Sequence, residues 1–179
     1  CSSLFDDFIV GLRERASRVV VEDATGSNLV LRASLPEMRL LQVEAGDSNL
    51  CSVIIDPGSG SPAIGLPDVP IFGNWTLVPN GTTVTTNVTP GDPVIYENID
   101  LVAVQPPGMD IEDAPIPEYQ SNDAIYGMDA DYPGDFVSLT DIQTVRGQQC
   151  AIVWLNPYQY NPRSKVLRVY PELQATLIF

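Results

Sequence analysis

The fold is decided by Cys150-Ala-Ile-Val-Trp-Leu155, followed by Asn156-Pro-Tyr-Gln-Tyr-Asn-Pro162 and then by Val166-Leu-Arg-Val-Tyr170. The first and last of these runs are rich in β-branched, aliphatic and aromatic residues, which is typical of β-strands. The middle run holds two prolines and two asparagines. Proline fixes φ and lacks an amide donor, and asparagine tolerates turn conformations. The stretch therefore predicts a β-hairpin that joins residues 150–155 to residues 166–170 through this connector.

Short aliphatic runs recur through the rest of the chain and are separated by turn residues, at residues 19–21, 29–33, 38–43, 50–55 and 101–104. This spacing is typical of an antiparallel β-sandwich or barrel. Asn80-Gly81 lies between the runs at 75–78 and 82–89 and predicts a second hairpin. The length of 179 residues fits a single all-β domain.

The first residues have a different pattern. Apolar residues recur from Leu4 to Leu12 at helical spacing, and Ser3 is a suitable N-cap. We expect a short amphipathic helix within an extension at residues 1–17, docked on its own domain, on a membrane surface or on a partner. Cys1 followed by two serines is similar to the start of a mature bacterial lipoprotein, whose cysteine carries the lipid; a plain sequence boundary is the alternative.

The composition excludes several functions. The chain has 23 acidic and 9 basic residues and no histidine, for a net charge of −14. Such a charge disfavours nucleic acid and anionic membranes as partners, and no run is long and apolar enough for a membrane span. Without histidine, the chain alone cannot be a Cys/His or Ser/His hydrolase. No spacing singles out a pair of carboxylates for glycoside cleavage.

No metal site or cofactor is expected. Cys51 and Cys150 are predicted to be buried thiols, with a bridge between them as the alternative. Asp129 to Asp135 is similar to the first half of a calcium loop but lacks the closing glutamate, so it predicts a turn. The proline-rich segment Gln105 to Pro117 is long for a loop inside a domain, and such loops are often functional.

Several motifs carry a resemblance. Pro157-x-Gln-Tyr160-Asn161-Pro162, preceded by Arg146-Gly147, resembles the close of the propeptide of gingipain-type cysteine peptidases. Further matches follow the same order along residues 18–179: Gly65-x-Pro67-x-x-Pro70, Gly108 to Pro117, Pro117-x-Tyr119, Tyr126, Tyr132-Pro133-Gly134 and Leu139-x-Asp141.

The resemblance implies a jelly-roll β-sandwich over residues 18–179 that precedes a caspase-like cysteine peptidase domain, beyond Phe179. Such a propeptide is not an enzyme; it assists folding of the peptidase and keeps it latent by placing an extended loop in the active-site cleft. The implied inhibitory loop comprises Gly108, Met109, Asp110, Ile111, Glu112, Asp113, Pro115 and Pro117. In the family a basic side chain of this loop occupies the specificity pocket, whereas this loop holds no basic residue.

The leading hypothesis is therefore an inhibitory, folding-assisting propeptide of a secreted or surface-located bacterial cysteine peptidase, with that peptidase as its partner. The exposed partner face leaves room for a weak homodimer. The rival hypothesis is a stand-alone β-sandwich on the cell surface that binds carbohydrate or calcium through the acidic, aromatic segment 118–135.

Overall fold

A computed structural model describes residues 18–25, 27–35, 38–45, 48–55, 63–107 and 118–179. The predicted helix at residues 4–12 and the predicted inhibitory loop at 108–117 lie outside these residues. The elements of the described residues are β1 (Arg18–Ala24), β2 (Asn28–Ser34), β3 (Met38–Ala45), β4 (Ser48–Ile55), β5 (Phe72–Leu77), β6 (Thr85–Pro90), β7 (Val94–Tyr96), α1 (Asp123–Tyr126), β8 (Val137–Leu139), β9 (Gln143–Val145), β10 (Gln148–Leu155), β11 (Tyr158–Asn161), β12 (Val166–Val169) and β13 (Glu172–Ile178).

The strands form antiparallel sheets. One has the order β1-β2-β13-β6, and a second has the order β5-β10-β8 with β9 also paired to β10. A third has the order β11-β12-β7, and β3 pairs with β4. The all-β, antiparallel prediction is thus confirmed. The strand order does not by itself establish a jelly roll, which stays a prediction.

The sheets share one apolar core. Buried side chains from β2, β4, β10, β11, β12 and β13 form a single cluster. Leu31 of β2, Leu155 of β10 and Leu177 of β13 are among its fully buried members. Burial of large aliphatic side chains stabilises a fold by about 1.5–3 kcal/mol each. A continuous core of this kind lets the described strands pack as one body.

The predicted hairpin between residues 150–155 and 166–170 is wrong. β10 pairs with β5, β8 and β9, while Tyr158–Asn161 of the supposed connector is itself a strand that pairs with β12. Pro157 and Pro162 flank this strand, where their missing amide donors interrupt no ladder. The hairpin is therefore β11–β12, with its turn at residues 162–165.

The predicted hairpin at Asn80-Gly81 is also wrong, although the turn exists. Gly81 has a positive φ of 78°, and Thr82 bonds through its amide and its hydroxyl to the carbonyl of Pro79. The strands on either side belong to different sheets, since β5 pairs with β10 and β6 with β13. The turn redirects the chain between sheets.

Two further expectations are corrected. The run at 101–104 is not a regular strand; Leu101 and Ala103 make isolated bridges to Cys51 and Pro67.

Cys150 is a buried free thiol, as predicted, but Cys51 is disulfide-bonded. Cys51 and Cys150 are therefore not bridged to each other, and Cys51 is not a thiol.

Candidate functional site

The segments on either side of the predicted inhibitory loop are well defined. We call residues 99–107 the upstream stem and residues 118–136 the downstream stem. The loop residues between them, 108–117, lie outside the described residues, and the described part of the site consists of the two stems. Both stems are bonded to β11, and they are bonded to each other.

Tyr160 of β11 holds the upstream stem. Its side chain is 1% exposed, and its hydroxyl donates to the Ile99 carbonyl (3.0 Å) while accepting from the Leu101 amide (3.3 Å). Burial raises the pKa of this phenol, so it stays protonated and can donate. One buried side chain thus satisfies two backbone groups of the upstream stem, of which other backbone groups bond to Cys51 and to residues 65–68.

Two tyrosines of the downstream stem reach back to the upstream stem. The Tyr119 hydroxyl accepts from the Ala103 amide at 2.8 Å, and the Tyr126 hydroxyl donates to the Leu101 carbonyl at 3.1 Å. Burial also raises the pKa of Tyr126. These two hydrogen bonds join the downstream stem to the same stretch of the upstream stem that Tyr160 bonds. The two stems therefore lie side by side.

Gln105 fixes the separation of the stems close to the loop. Its side-chain amide nitrogen donates to the carbonyls of Ala103 (3.0 Å) and Gln120 (2.8 Å), and its side-chain oxygen accepts from the Gln120 amide (2.9 Å). A primary amide has two donors and two acceptor lone pairs, and three of these are used here. Residues 105 and 120, on the two sides of the loop, are therefore held at a fixed separation.

β11 also holds the far end of the downstream stem. Tyr132 and Tyr160 exchange backbone hydrogen bonds at 2.8 Å in both directions. The buried Gln159 accepts from the Gly134 amide (2.9 Å) and donates to the Asn156 carbonyl (2.9 Å). Asn156 in turn donates to the Asp135 carbonyl at 2.8 Å.

The acidic segment within the downstream stem is occupied by side chains of the β11–β12 hairpin. Arg168 donates to Asp131 at 2.7 Å, and Asn161 donates to Asp129 at 3.3 Å. The described residues contain no group of three or more residues that could hold a metal ion. Two carboxylates of the calcium-like segment are thus engaged by side chains of the β11–β12 hairpin.

The motif residues Arg146, Gly147, Pro157 and Pro162 make no hydrogen bond to the stems, whereas Gly65 bonds both of them, through its amide to the Val104 carbonyl and through its carbonyl to the Asn122 amide (2.8 Å each). Arg146 and Gly147 form the turn between β9 and β10, both with positive φ (53° and 80°). Positive φ at both central positions is the geometry of a type I′ hairpin turn. Pro157 and Pro162 are buried at the two ends of β11, and the Pro157 carbonyl accepts from the Tyr170 amide.

The turn at Arg146 allows a stability test. A non-glycine residue in the left-handed region costs about 1 kcal/mol, and Asn is the residue that best tolerates it before Gly. We expect Arg146→Asn to raise the free energy of unfolding by about 0.5–1 kcal/mol in urea titrations. Arg163→Asn is the control, because it removes the same charge from an exposed turn position without positive φ; equal changes in both variants would contradict the explanation.

Sequence reasoning found part of this site. The motif Gln159, Tyr160 and Asn161 was recognised, but the bonds from their side chains to the stems were not, and Gln105 was noted only as the start of a long loop. The feature that could have indicated this role is the pair of amide residues, Gln159 and Asn161, within four residues. Polar side chains in a buried strand need hydrogen-bond partners, and β11 is buried throughout.

The comparisons with known proteins agree with this architecture. A family model described as Propeptide_C25 matches residues 31–179. The fold is similar to a solved structure described as the complex of Porphyromonas gingivalis RgpB pro- and mature domains, with a TM-score of 0.77 at 20% identity over 89% of this chain and 84% of that chain. It is also similar to a structure described by the zymogenic latency of gingipain K from Porphyromonas gingivalis, with a TM-score of 0.73 at 22% identity over 94% and 95% of the two chains. No curated protein matches the chain.

Proposed function

Because the chain belongs to the C25 propeptide family, we propose that it keeps a gingipain-type cysteine peptidase latent by placing the loop at residues 108–117 in the active-site cleft. It is the propeptide part of a zymogen and not the catalytic unit. The partner is then the cognate peptidase domain. Among the described residues, no helix is long and apolar enough to span a membrane.

The observation that supports the loop's role is the anchoring of both stems. Tyr160 and Tyr119 bond the upstream stem at residues 99–103, and Gln105 bonds Gln120 on the other side of the loop. Association is penalised by the entropy of ordering a flexible segment. A loop that leaves from fixed ends has lost part of that freedom before it meets the peptidase, so less is lost on binding.

The composition of the loop further supports an extended, substrate-like insertion. Pro106 and Pro107 precede it, and Pro115 and Pro117 close it. Proline removes conformational freedom and favours an extended preceding residue. A peptidase cleft accepts an extended backbone, so a loop that its prolines hold extended is suited to enter the cleft.

The charge of the loop sets the specificity that we propose for the peptidase. Asp110 and, next, Asp113 are the candidates for the side chain in the specificity pocket. A carboxylate opposite a basic pocket gains a charge-assisted hydrogen bond, whereas in an acidic pocket it would be repelled and desolvated. The cognate peptidase should therefore cleave after acidic or small polar residues.

The test of this assignment is inhibition of the cognate peptidase by the 179-residue chain and by Asp110→Ala and Asp113→Ala. We expect one variant to inhibit on the order of ten-fold to a hundred-fold more weakly, as for the loss of a charged hydrogen bond worth about 1.5–3 kcal/mol. Glu118→Ala is the control, because it removes an exposed carboxylate just outside the loop. Unchanged inhibition by both loop variants, or cleavage only after Arg or Lys, would contradict the assignment while leaving the propeptide role intact.

Two further parts of the proposal concern the biology of the zymogen. The propeptide assists folding of the peptidase, which is secreted or held at the bacterial surface. A lipid on the Cys1 thiol would anchor the precursor to a membrane. Because the chain has three cysteines, of which Cys150 is free and Cys51 is disulfide-bonded, this lipidated form requires that Cys1 is not the partner of Cys51. Cys1 lies outside the described residues, so mass spectrometry of the native N-terminus is the direct check.

A further inference from the structure

A short segment ahead of β5 runs along the upstream stem. We call residues 65–69 the bracing segment. Two backbone hydrogen bonds join it to this stem, from the Val104 amide to the Leu66 carbonyl (2.8 Å) and from the Asp68 amide to the Val102 carbonyl (2.9 Å). Its last residue, Val69, is 1% exposed and belongs to the apolar core. The segment is therefore fixed by the core at one end and bonded to the stem ahead of it.

Gly65, at the start of the bracing segment, joins the two stems. Its amide donates to the Val104 carbonyl of the upstream stem, and its carbonyl accepts from the Asn122 amide of the downstream stem, both at 2.8 Å. The Asn122 side chain in turn caps α1, because its oxygen accepts from the amides of Ala124 and Ile125 (3.1 and 3.3 Å). The two backbone groups of one buried residue thus tie the start of α1 to the upstream stem.

The backbone direction at Gly65 requires glycine. Its φ is 83°, in the left-handed region that L-amino acids rarely adopt. Space is not the obstacle, since a Cβ atom there would lie 3.5 Å from the Asn122 nitrogen, which is an ordinary contact. A residue with negative φ would turn its amide or its carbonyl away from one of the stems, because φ sets the angle between these two groups.

The bonds to Gly65 fix the register of the two stems. Val104 and Asn122 lie on opposite sides of residues 108–117, and both are bonded to this one residue. Neither stem can then slide along the other without breaking a bond to Gly65. A slip of one residue would move the chain by about 3.3 Å. A shift of that size would take a loop side chain out of a pocket that accepts a single residue.

We propose that Gly65 is a positioning residue of the inhibitory loop, which sets the register of the stems and so determines which loop side chain reaches the specificity pocket of the peptidase. The inference rests on the proposed function and deepens it, because it names a residue outside the loop and outside β11 that controls the loop. Gly65 acts through the stems to which it is bonded.

Inhibition of the cognate peptidase by Gly65→Pro tests the inference. Proline fixes φ at about −65° and has no amide to donate, so this variant cannot keep the bond to Val104 or the direction of its own carbonyl. We expect folded Gly65→Pro to inhibit on the order of ten-fold more weakly than the parent 179-residue chain, because the stems lose their fixed register before binding. Gly65→Asn should inhibit within about three-fold of the parent, since asparagine tolerates positive φ.

Gly81→Pro is the matched control. Gly81 has a similar φ of 78°, lies in the turn between β5 and β6, and makes no hydrogen bond to either stem. Proline there imposes the same backbone conflict, so urea unfolding should show that both proline variants are destabilised, while Gly81→Pro inhibits like the parent.

Three results would overturn the inference: folded Gly65→Pro that inhibits like the parent, equal weakening by both proline variants, or Gly65→Asn as weak as Gly65→Pro. Failure of the parent chain to inhibit is a different result, because it would overturn the proposed function and, with it, the role assigned to Gly65.

Amide exchange in the parent chain keeps the inference testable if Gly65→Pro fails to fold. The Asn122 amide reports its bond to Gly65, and the Leu101 amide reports the bond to Tyr160 that holds the upstream stem. The two amides should exchange at rates within about ten-fold of each other, because groups of one cooperative unit open together. Exchange of Asn122 at the rate of an unprotected amide would overturn the inference, whether or not the chain inhibits a peptidase.

Discussion

Replacing Tyr160 with phenylalanine is expected to lower the free energy of unfolding by about 1–3 kcal/mol, because it leaves buried backbone groups without partners. The groups are the Leu101 amide and the Ile99 carbonyl, which both bond to the Tyr160 hydroxyl. Phenylalanine has the same shape, so no cavity is created. The loss therefore reports on the hydrogen bonds between β11 and the upstream stem.

β11 supplies the control for this prediction. Tyr158 lies two residues away and is fully buried, and its hydroxyl has no hydrogen-bond partner among the described residues. Removing a buried, unpaired hydroxyl removes a desolvation penalty and no bond. Tyr158→Phe should therefore be neutral or stabilising. Urea unfolding measures the free energy of unfolding of both variants. Equal destabilisation would mean that the hydrogen bonds between Tyr160 and the upstream stem contribute nothing to stability.

A loss of similar size is expected from Gln159→Met, which keeps the length of the side chain and removes both of its hydrogen bonds. The Gly134 amide and the Asn156 carbonyl then lose their partner, at a cost of about 1–3 kcal/mol. The downstream stem should loosen, because Gly134 belongs to it. Faster amide exchange at Gly134, together with a lower unfolding free energy, is the result to measure.

Gln174→Met is the matched control for that substitution. Gln174 is exposed on β13 and donates to Glu22 at 2.7 Å. Water replaces an exposed hydrogen bond at little cost, so this variant should change stability by less than about 0.5 kcal/mol. If Gln174→Met were as damaging as Gln159→Met, burial of the β11 amide would not be the cause.

The sequence allowed the strand content to be predicted but not the partners of the strands. The runs that became β2, β4 and β10 were recognisable because residue type and turn spacing are local signals. Pairing is decided by which apolar faces share the core. Asn80-Gly81 forms its turn, yet β5 and β6 join different sheets. Local turn chemistry cannot distinguish these two outcomes.

The site was even less accessible from sequence. Tyr160 and Ile99 are 61 residues apart, and Tyr119 and Ala103 are 16 apart on opposite sides of the loop. No periodicity connects such positions. The resemblance at residues 157–162 pointed to the right strand, and the family match confirmed the resemblance. What each side chain of the strand does became visible only in the structure.

β11 bonds both stems that flank the proposed inhibitory loop. Tyr160 holds the stem before the loop, and the backbone pairing of Tyr132 with Tyr160 holds the stem after it. Gln159 adds a second bond to the downstream stem. A strand that fixes both ends of a loop determines where the loop can reach.

The most direct test of this account is an inhibition titration of the cognate peptidase with three forms of the 179-residue chain: the parent, Tyr158→Phe and Tyr160→Phe. The account predicts that the parent and Tyr158→Phe inhibit equally, and that folded Tyr160→Phe inhibits on the order of ten-fold more weakly, the equivalent of about 1.4 kcal/mol. Failure of the parent chain to inhibit, or equal inhibition by all three forms, would contradict it.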